Sequence, residues 1–379
     1  MIRYGSHDVN DDDVASVVET LRGDWLTTGP AVSKFETDLS VFTGGVPTVA
    51  VSSGTAALHC AYVAAGLGPG DELITPPLTF IATQAVAAHL GAQLRFADVS
   101  PLTGCLDPQA VEAAINPRTS AIVAVDYAGH PADMFTLRRI ATRHGLLLIE
   151  DAAHSLGSSL DGEPVGSLAD ITTFSFFPTK NVTTGEGGAI ATTSPEILGR
   201  CREFSRQGLI RDEARFLLKD EGAWHQEVHE FGLNYRLSDI LASLGSSQLK
   251  RLLAFKKRRT EIKAMYDAAF SNSEFDLVIP YCDPAAAPMW HLYPLRVDPN
   301  VRRALFEHLR SKDIAVQVNY IPAYWHPVFD SESYPRGLCP IAESYYASEL
   351  SLPIHFKLSD DEILFTIEST LSFLGTTTS

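Results

Sequence analysis

The sequence predicts an α/β protein whose large N-terminal part, residues 1–250, carries a mainly parallel sheet and whose C-terminal part, residues 251–379, is a smaller α+β unit. Three observations predict it. Short, almost continuously apolar runs recur between residues 49 and 149. Ala-rich or helix-periodic stretches separate them, and strands that are apolar on both faces belong to parallel sheets covered by helices. Beyond about residue 270 this alternation gives way to a looser mixture of strand-like and helical segments.

In chain order, Asn10-Asp11-Asp12-Asp13 places capping and acidic side chains at a helix start, with Val14, Val17, Val18 and Leu21 on one face. Asp24 to Pro30 breaks that helix, and Val32, Phe35, Leu39 and Phe42 mark a second amphipathic one. The strands are expected at Val49–Val51, Glu72–Ile74, Leu94–Ala97, Ala121–Val125 and Leu146–Ile149. Helices are expected near 55–66, 80–91, 108–115 and 133–144. Ile171 to Phe177, rich in β-branched and aromatic residues, reads as a further strand. Leu237 to Phe270 reads as one long helix, with Lys256-Lys257-Arg258-Arg259 as a solvated face of it. Strand-like Met289–Val297 and Ile314–Val318 follow, with helices at 302–310, 340–349 and 359–373; the Thr376–Ser379 tail is expected to fray.

Composition narrows the partners. With Lys+Arg 30 against Asp+Glu 46, the formal charge of -16 repels nucleic acid and anionic membrane surfaces. The opening residues lack a basic segment followed by an apolar run, and no apolar stretch reaches the roughly 20 residues of a membrane span. The five cysteines are scattered, without the spacing of a disulfide framework or a zinc site. A soluble cytoplasmic protein with no bound metal is the expectation.

Chemistry concentrates around Lys180. It sits between the strand-like Ile171–Phe177 and the turn cluster Thr183-Thr184-Gly185-Glu186-Gly187-Gly188. Desolvation disfavours an ammonium and leaves the amine that attacks carbonyls, which makes Lys180 a candidate Schiff-base residue. Taken alone it reads as a surface lysine, so its company decides. Asp151 follows the apolar strand ending at Ile149 and so stands at the carboxyl edge of the sheet, where such folds bind ligands, although it could simply cap the next helix. Ser52-Ser53-Gly54-Thr55 turns from a strand into a helix whose amides suit an anion. Phe80, in Thr79-Phe80-Ile81-Ala82-Thr83, offers a ring near the same edge, with core packing as the alternative. An anion cradle, a ring, a carboxylate and an amine are the parts of a pyridoxal phosphate site.

The motifs SGTAAL, TFIAT, EDAAHSLG, SFFPTKNVTTGEGGA and NYRLSDI, in that order over nearly the whole chain, resemble the DegT/StrS family of nucleotide-sugar aminotransferases. These are fold-type I enzymes dependent on pyridoxal 5'-phosphate, with pyridoxamine phosphate as the intermediate form. The resemblance implies that Lys180 carries the cofactor, Asp151 pairs with the pyridine nitrogen and His154 lies near the phenolic oxygen. It further implies that Phe80 stacks on the ring, and that Gly54, Thr55 and Ser175 hold the phosphate. Asn234 would reach the phosphate of a neighbouring subunit, hence a homodimer with shared sites. Asp24–Pro30, Ala124–Gly129, His291–Pro294 and Ser351–Pro353 are similar to the branch that aminates carbon 4 of UDP-linked 4-keto-6-deoxy sugars in the pseudaminic acid pathway. That branch tends to have histidine where Phe177 stands, whereas an aromatic there occurs in members acting on dTDP-linked sugars. Thr28, His291, Tyr293 and Tyr320 are candidate substrate contacts, each with a core or surface role as the alternative, and glutamate is the expected amino donor. Alternatives are a 3-keto-sugar aminotransferase, or a sensor built on the same fold. The family's dehydratases have histidine in place of the lysine, and a nicotinamide dehydrogenase would show GxGxxG after its first strand.

Overall fold

A computed structural model describes residues 1–219 and 221–377, so Thr378 and Ser379 of the tail lie outside the described residues. The central sheet is built from β1 (Thr48–Val51), β2 (Glu72–Thr75), β3 (Gln93–Phe96), β4 (Thr119–Val125), β5 (Leu147–Asp151), β6 (Ile171–Ser175) and β7 (Gly188–Ala191). Their order across the sheet is β1-β7-β6-β5-β4-β2-β3. β7 runs antiparallel to both of its neighbours, and every other pairing is parallel. Each expected strand of this region is present. β1, β2 and β7 are buried along their whole length, as strands covered on both faces must be.

The helices that cover the sheet form where the periodicity puts them: α1 (Asp11–Arg22), α2 (Pro30–Phe42), α3 (Gly54–Ala64), α4 (Ala82–His89), α5 (Pro108–Ala114) and α6 (Met134–His144); α7 (Pro195–Phe204), opened by a Ser194 cap, is an additional helix beyond those expected from the sequence. Val32, Phe35 and Leu39 of α2 are buried as expected. In α1 the orientation differs. Asn10 and Asp13 form a reciprocal capping box, and it is Asp13 that is buried, while Val14 and Leu21 are exposed. The Asp13 carboxylate pairs with Arg251 and accepts a hydrogen bond from Gln248. A buried carboxylate must be paired, and that pairing turns the apolar stripe outward.

Two further expectations change. The long helix is two, α8 (Asp239–Leu249) and α9 (Leu252–Ser271), because Arg251, at φ -105° and ψ 2°, leaves the helical path to reach Asp8 and Asp13. The basic run is a set of joints rather than a solvated face, Lys257 excepted. Arg259 is 3% exposed, and its guanidinium donates to the Trp290 carbonyl (3.0 Å) and the Ile354 carbonyl (2.9 Å). Lys256 donates to Gly157 and Ala287, and Arg258 to Leu358 and Asp360.

The remainder holds α10 (Pro299–Ser311), α11 (Pro340–Ser348), α12 (Asp360–Thr377) and the antiparallel pair β8 (Tyr293–Arg296) and β9 (Glu349–Leu352). Residues 314–318 form isolated bridges instead of the expected strand. Ile314 pairs with Ile2 and Gln317 with Ser351, so the segment changes partner midway and no continuous ladder develops. A second apolar core gathers Ile262, Tyr266, Phe270, Tyr293, Leu305 and Leu350, together with Ile2 from the chain start. Among the described residues no helix is long and apolar enough to cross a membrane.

Arg259→Leu strands buried carbonyls that a charged donor satisfied, and should lower unfolding free energy by about 2–4 kcal/mol in denaturant titrations. Lys257→Ala, at an exposed position, should leave the denaturation midpoint within error.

Candidate active site

The carboxyl ends of β1, β2, β5 and β6 face a cavity of ≈ 880 Å³. Gly54, Thr55, Phe80, Asp151, His154, Ser175, Lys180, His291 and Tyr320 all line it, residues that the sequence scatters over more than two thirds of the chain. Their convergence follows from the parallel topology, which brings the ends of successive strands to one edge.

The turn that carries Lys180 leaves β6 and is fastened at several points. The Phe176 amide donates to Gly187 (2.9 Å), the Thr184 amide returns to the Phe176 carbonyl (3.0 Å), and the Lys180 amide donates to Phe177 (2.8 Å). Phe176 itself is fully buried against Phe35, with ring centroids 5.3 Å apart. The Asn181 amide donates to the His154 carbonyl at 2.7 Å and ties this turn to the one after β5. Burial lowers the Lys180 ammonium to about 8, against the opposing pull of the Asp151 charge. About a tenth is therefore free amine at pH 7, far more than for an ordinary lysine, and this is the form a nucleophile or base requires.

Asp151 is buried at the end of β5. Its Oδ2 accepts from the Thr83 hydroxyl (2.7 Å) and its Oδ1 from the Ala153 amide (3.2 Å). The local cap is thus real but uses one oxygen only. Burial pushes the carboxyl up from its ordinary range, against these two bonds and the Lys180 charge, so a cationic partner in the cavity would be favoured. The His154 and His291 rings lie with centroids 4.2 Å apart and planes tilted by 36°, and burial holds both well below the usual imidazole range, with the Lys180 charge adding to the shift. Both rings are therefore neutral. Nε2 of His154 lies 3.2 Å from the Tyr320 hydroxyl, while its Nδ1 is buried without a partner. When Tyr320 donates to Nε2, Nδ1 carries the hydrogen and is free to meet an acceptor in the cavity.

At the other end of the cavity Ser53 caps α3 by accepting from the Ala56 amide (3.1 Å), and the first-turn amides of Gly54 and Thr55 have no intrahelical partner. Packing dictates the small residues here. A Cβ on Gly54 would stand 2.8 Å from Ser175 Cβ, and one on Gly188 would stand 2.3 Å from the Ser53 carbonyl oxygen. Open amides, the Ser175 hydroxyl and the positive end of a helix dipole together suit an anion. Phe80 is 60% exposed, which removes core packing as its role; its ring stands edge-on to Tyr320 at 6.3 Å.

Three predicted residues lie elsewhere. Tyr293 is fully buried in the second core, where its hydroxyl donates to Asp267 at 2.9 Å. Thr28, at φ 59°, is exposed and its hydroxyl donates to the neighbouring Thr27 carbonyl. Asn234 is exposed and bridged to Arg206, outside the cavity of its own chain. Sequence reasoning in turn missed Thr83, Tyr4 and Asn181. Thr83 stood inside the quoted TFIAT motif, three residues after Phe80 at helical spacing, and that spacing was the available signal.

The profile of the DegT/DnrJ/EryC1/StrS aminotransferase family matches residues 7–369. The spore coat polysaccharide biosynthesis protein SpsC of Bacillus subtilis is 38% identical over 367 residues, covering 95% of this chain and 94% of that protein. The UDP-4-amino-4,6-dideoxy-N-acetyl-beta-L-altrosamine transaminase of Campylobacter jejuni is 32% identical over 384 residues, 99% of this chain and 98% of its own. Among solved structures, the PLP form of Spr1654 from Streptococcus pneumoniae superimposes with a TM-score of 0.90 at 30% identity, covering 99% of both chains; a PMP form of that protein is also solved. A profile match over almost the full length, relatives aligned end to end and a lysine-carboxylate cavity at the sheet edge agree, and the chain belongs to the DegT/DnrJ/EryC1/StrS aminotransferase family.

Proposed function

We propose that this sugar aminotransferase moves an amino group from glutamate to carbon 4 of a UDP- or dTDP-linked 4-keto-6-deoxy sugar, as a cytoplasmic homodimer with shared sites. The observation that carries the reading is a lysine of lowered pKa and a buried carboxylate lining one cavity at the carboxyl edge of the sheet. The cofactor is pyridoxal 5'-phosphate, and the residues present fit it. The open amides of Gly54 and Thr55 and the Ser175 hydroxyl suit its phosphate, and Asp151 suits a protonated ring nitrogen. The unpartnered Nδ1 of His154 suits its phenolic oxygen, and exposed Phe80 suits its face.

When bound, the cofactor supplies an aldehyde that exchanges amines and a ring that draws electrons from the reacting carbon. The protein supplies position and proton movement. Lys180 Nζ would anchor the cofactor and, when freed from it, would serve as the base that takes a proton from the donor's α carbon and returns one at the sugar carbon. Asp151, steadied by Thr83 and the Ala153 amide, would hold the cofactor's ring nitrogen in its protonated form. His154 and His291, held neutral, add no positive charge beside the amine, and Nε2 of His154 meets the Tyr320 hydroxyl.

The carbon-4 preference is supported by the likeness to the Campylobacter transaminase, and Phe177 at the cavity wall keeps dTDP-linked sugars in the reading. Shared sites are supported by Asn234, which stands outside its own cavity, and by exposed Trp25, Trp224 and Phe231, apolar surface of the kind subunits bury. Five free cysteines, four of them buried, are in keeping with a reducing compartment.

Lys180→Ala should abolish the visible absorbance of the bound cofactor and lower turnover by more than about a thousandfold; retention of both would refute the assignment. Because only the free amine captures an aldehyde, cofactor uptake by the apoprotein should accelerate about tenfold per pH unit up to the Lys180 value of about 8 and then level off, as followed by absorbance in a stopped-flow series. Given glutamate and a panel of nucleotide-linked 3-keto and 4-keto sugars, mass spectrometry should find amination of 4-keto acceptors; success on a 3-keto sugar alone would overturn the regiochemistry.

A further inference from the structure

We propose that Glu349 is a positioning residue: from behind the cavity wall it holds the Asn319-Tyr320 segment, and through the Tyr320 hydroxyl it fixes the tautomer in which His154 faces the cofactor. The inference rests on the sugar aminotransferase reading and gives a task to a buried carboxyl that the chemistry at Lys180 does not use.

The need arises where the backbone ladder stops. The Gln317 amide donates to the Ser351 carbonyl (3.2 Å) and the Ser351 amide to the Gln317 carbonyl (2.8 Å), an isolated antiparallel pair. Continued in that register, Asn319 stands opposite Glu349, and an unbroken ladder would join the two main chains again. It does not. The Glu349 amide turns instead to the Tyr345 carbonyl at the end of α11, and the Glu349 side chain reaches across: its Oε2 accepts from the Asn319 amide at 2.7 Å.

The rest of Asn319 is held as firmly. The Tyr127 hydroxyl donates to its carbonyl, and its side-chain amide donates to Ser351 Oγ at 3.0 Å and to the Tyr4 hydroxyl at 2.6 Å. Ser351 Oγ is hydrogen-bonded in turn to Glu349 Oε1 and to the Tyr4 hydroxyl. Both carboxyl oxygens thus act on one residue, Oε2 directly and Oε1 through Ser351. The next residue is Tyr320, whose hydroxyl lies 3.2 Å from His154 Nε2 and whose ring centroid lies 6.1 Å from that of His154.

Glu349 is fully buried, and burial pushes its carboxyl up to about 8, against the bonds from Ser351 and Asn319 and the charge of Arg302. The other titratable groups that face it are the phenols of Tyr4, Tyr127, Tyr320 and Tyr345. At pH 7 it is therefore mainly a neutral acid, and glutamine would offer the Asn319 amide the same acceptor. An apolar side chain of similar length would leave that buried amide without a partner and free the segment to shift.

The test follows the visible absorbance of the bound cofactor in the purified holoenzyme as pH is raised. Losing the His154 hydrogen bond to the phenolic oxygen favours the protonated chromophore, so the midpoint of that titration rises. Glu349→Met should raise it by about one unit and Tyr320→Phe by a similar amount, whereas Glu349→Gln should stay within about 0.2 units of the wild type. In the Tyr320→Phe background Glu349→Met should add nothing, because its route runs through that hydroxyl. Three results overturn the proposal: an E349M midpoint equal to the wild-type one, an E349Q midpoint that moves as far as that of E349M, or an E349M shift that survives beside Y320F at half its size or more. A carboxyl with only a structural role gives the first of these, lowering the unfolding midpoint while the titration stays in place. Should E349M fail to fold, E349D, whose carboxyl ends one methylene short of the Asn319 amide, is read by the same criteria. A wild-type protein that takes up no pyridoxal phosphate sinks the functional reading and this inference with it; a loaded enzyme whose E349M form titrates like the wild type sinks this inference alone.

Discussion

Removing one amine and one carboxylate from water in the same cavity is the constraint on which the site depends. Burial drives Lys180 and Asp151 toward their neutral forms, and their mutual attraction pulls each back toward charge. The balance leaves the amine ready to act and the carboxylate in want of a cationic partner. Around that pair the protein spends hydrogen bonds on geometry: Thr83 and Ala153 hold the carboxylate, and Asn181 binds the lysine's turn to the turn that carries His154. The two imidazoles beside them are kept neutral by the same desolvation, so neither adds positive charge beside Lys180.

The same rule about buried charge shapes regions far from the cavity. Asp13 and Arg251 decide which face of α1 turns inward and where the long helical stretch divides. Arg259, lowered to about 10 by burial yet still protonated, spans the carbonyls of Trp290 and Ile354 and so joins α9 to two loops that border the second core. Buried charges satisfied in this way, by a carboxylate for Arg251 and by carbonyls for Arg259, add little stability over apolar packing, but they penalise every arrangement that leaves one partner alone.

This explains which features were legible in the sequence. The strands and helices of the sheet region could be read because each is a local pattern: an apolar run for β4, a stripe of Val32, Phe35 and Leu39 for α2, a Ser53 cap for α3. The cavity edge was legible because strand ends are local as well. What local pattern cannot encode is a partner distant along the chain. Arg259 looked like surface because its carbonyl partners are 31 and 95 residues away, and Thr83 looked incidental because Asp151 lies 68 residues on. Tyr293 shows the converse limit. Its strand was read correctly, but alternation alone does not tell which of two cores receives a given face. The orientation of α1 failed for the same reason, since an apolar stripe announces burial without saying against what.

The reversed strand β7 has a consequence for how this architecture can vary. Because β7 runs back beside β6, the segment bearing Lys180 is the tip of a hairpin whose two legs are hydrogen-bonded side by side, from Ser175 opposite Gly188 down to Thr172 opposite Ala191. A crossover loop can absorb an extra residue at its far end; this one returns at once to its own starting strand. Adding or deleting a residue between Ser175 and Gly188 would therefore be transmitted straight to the lysine. Tolerance to insertion should thus be lowest in the one stretch of this sheet that carries the amine.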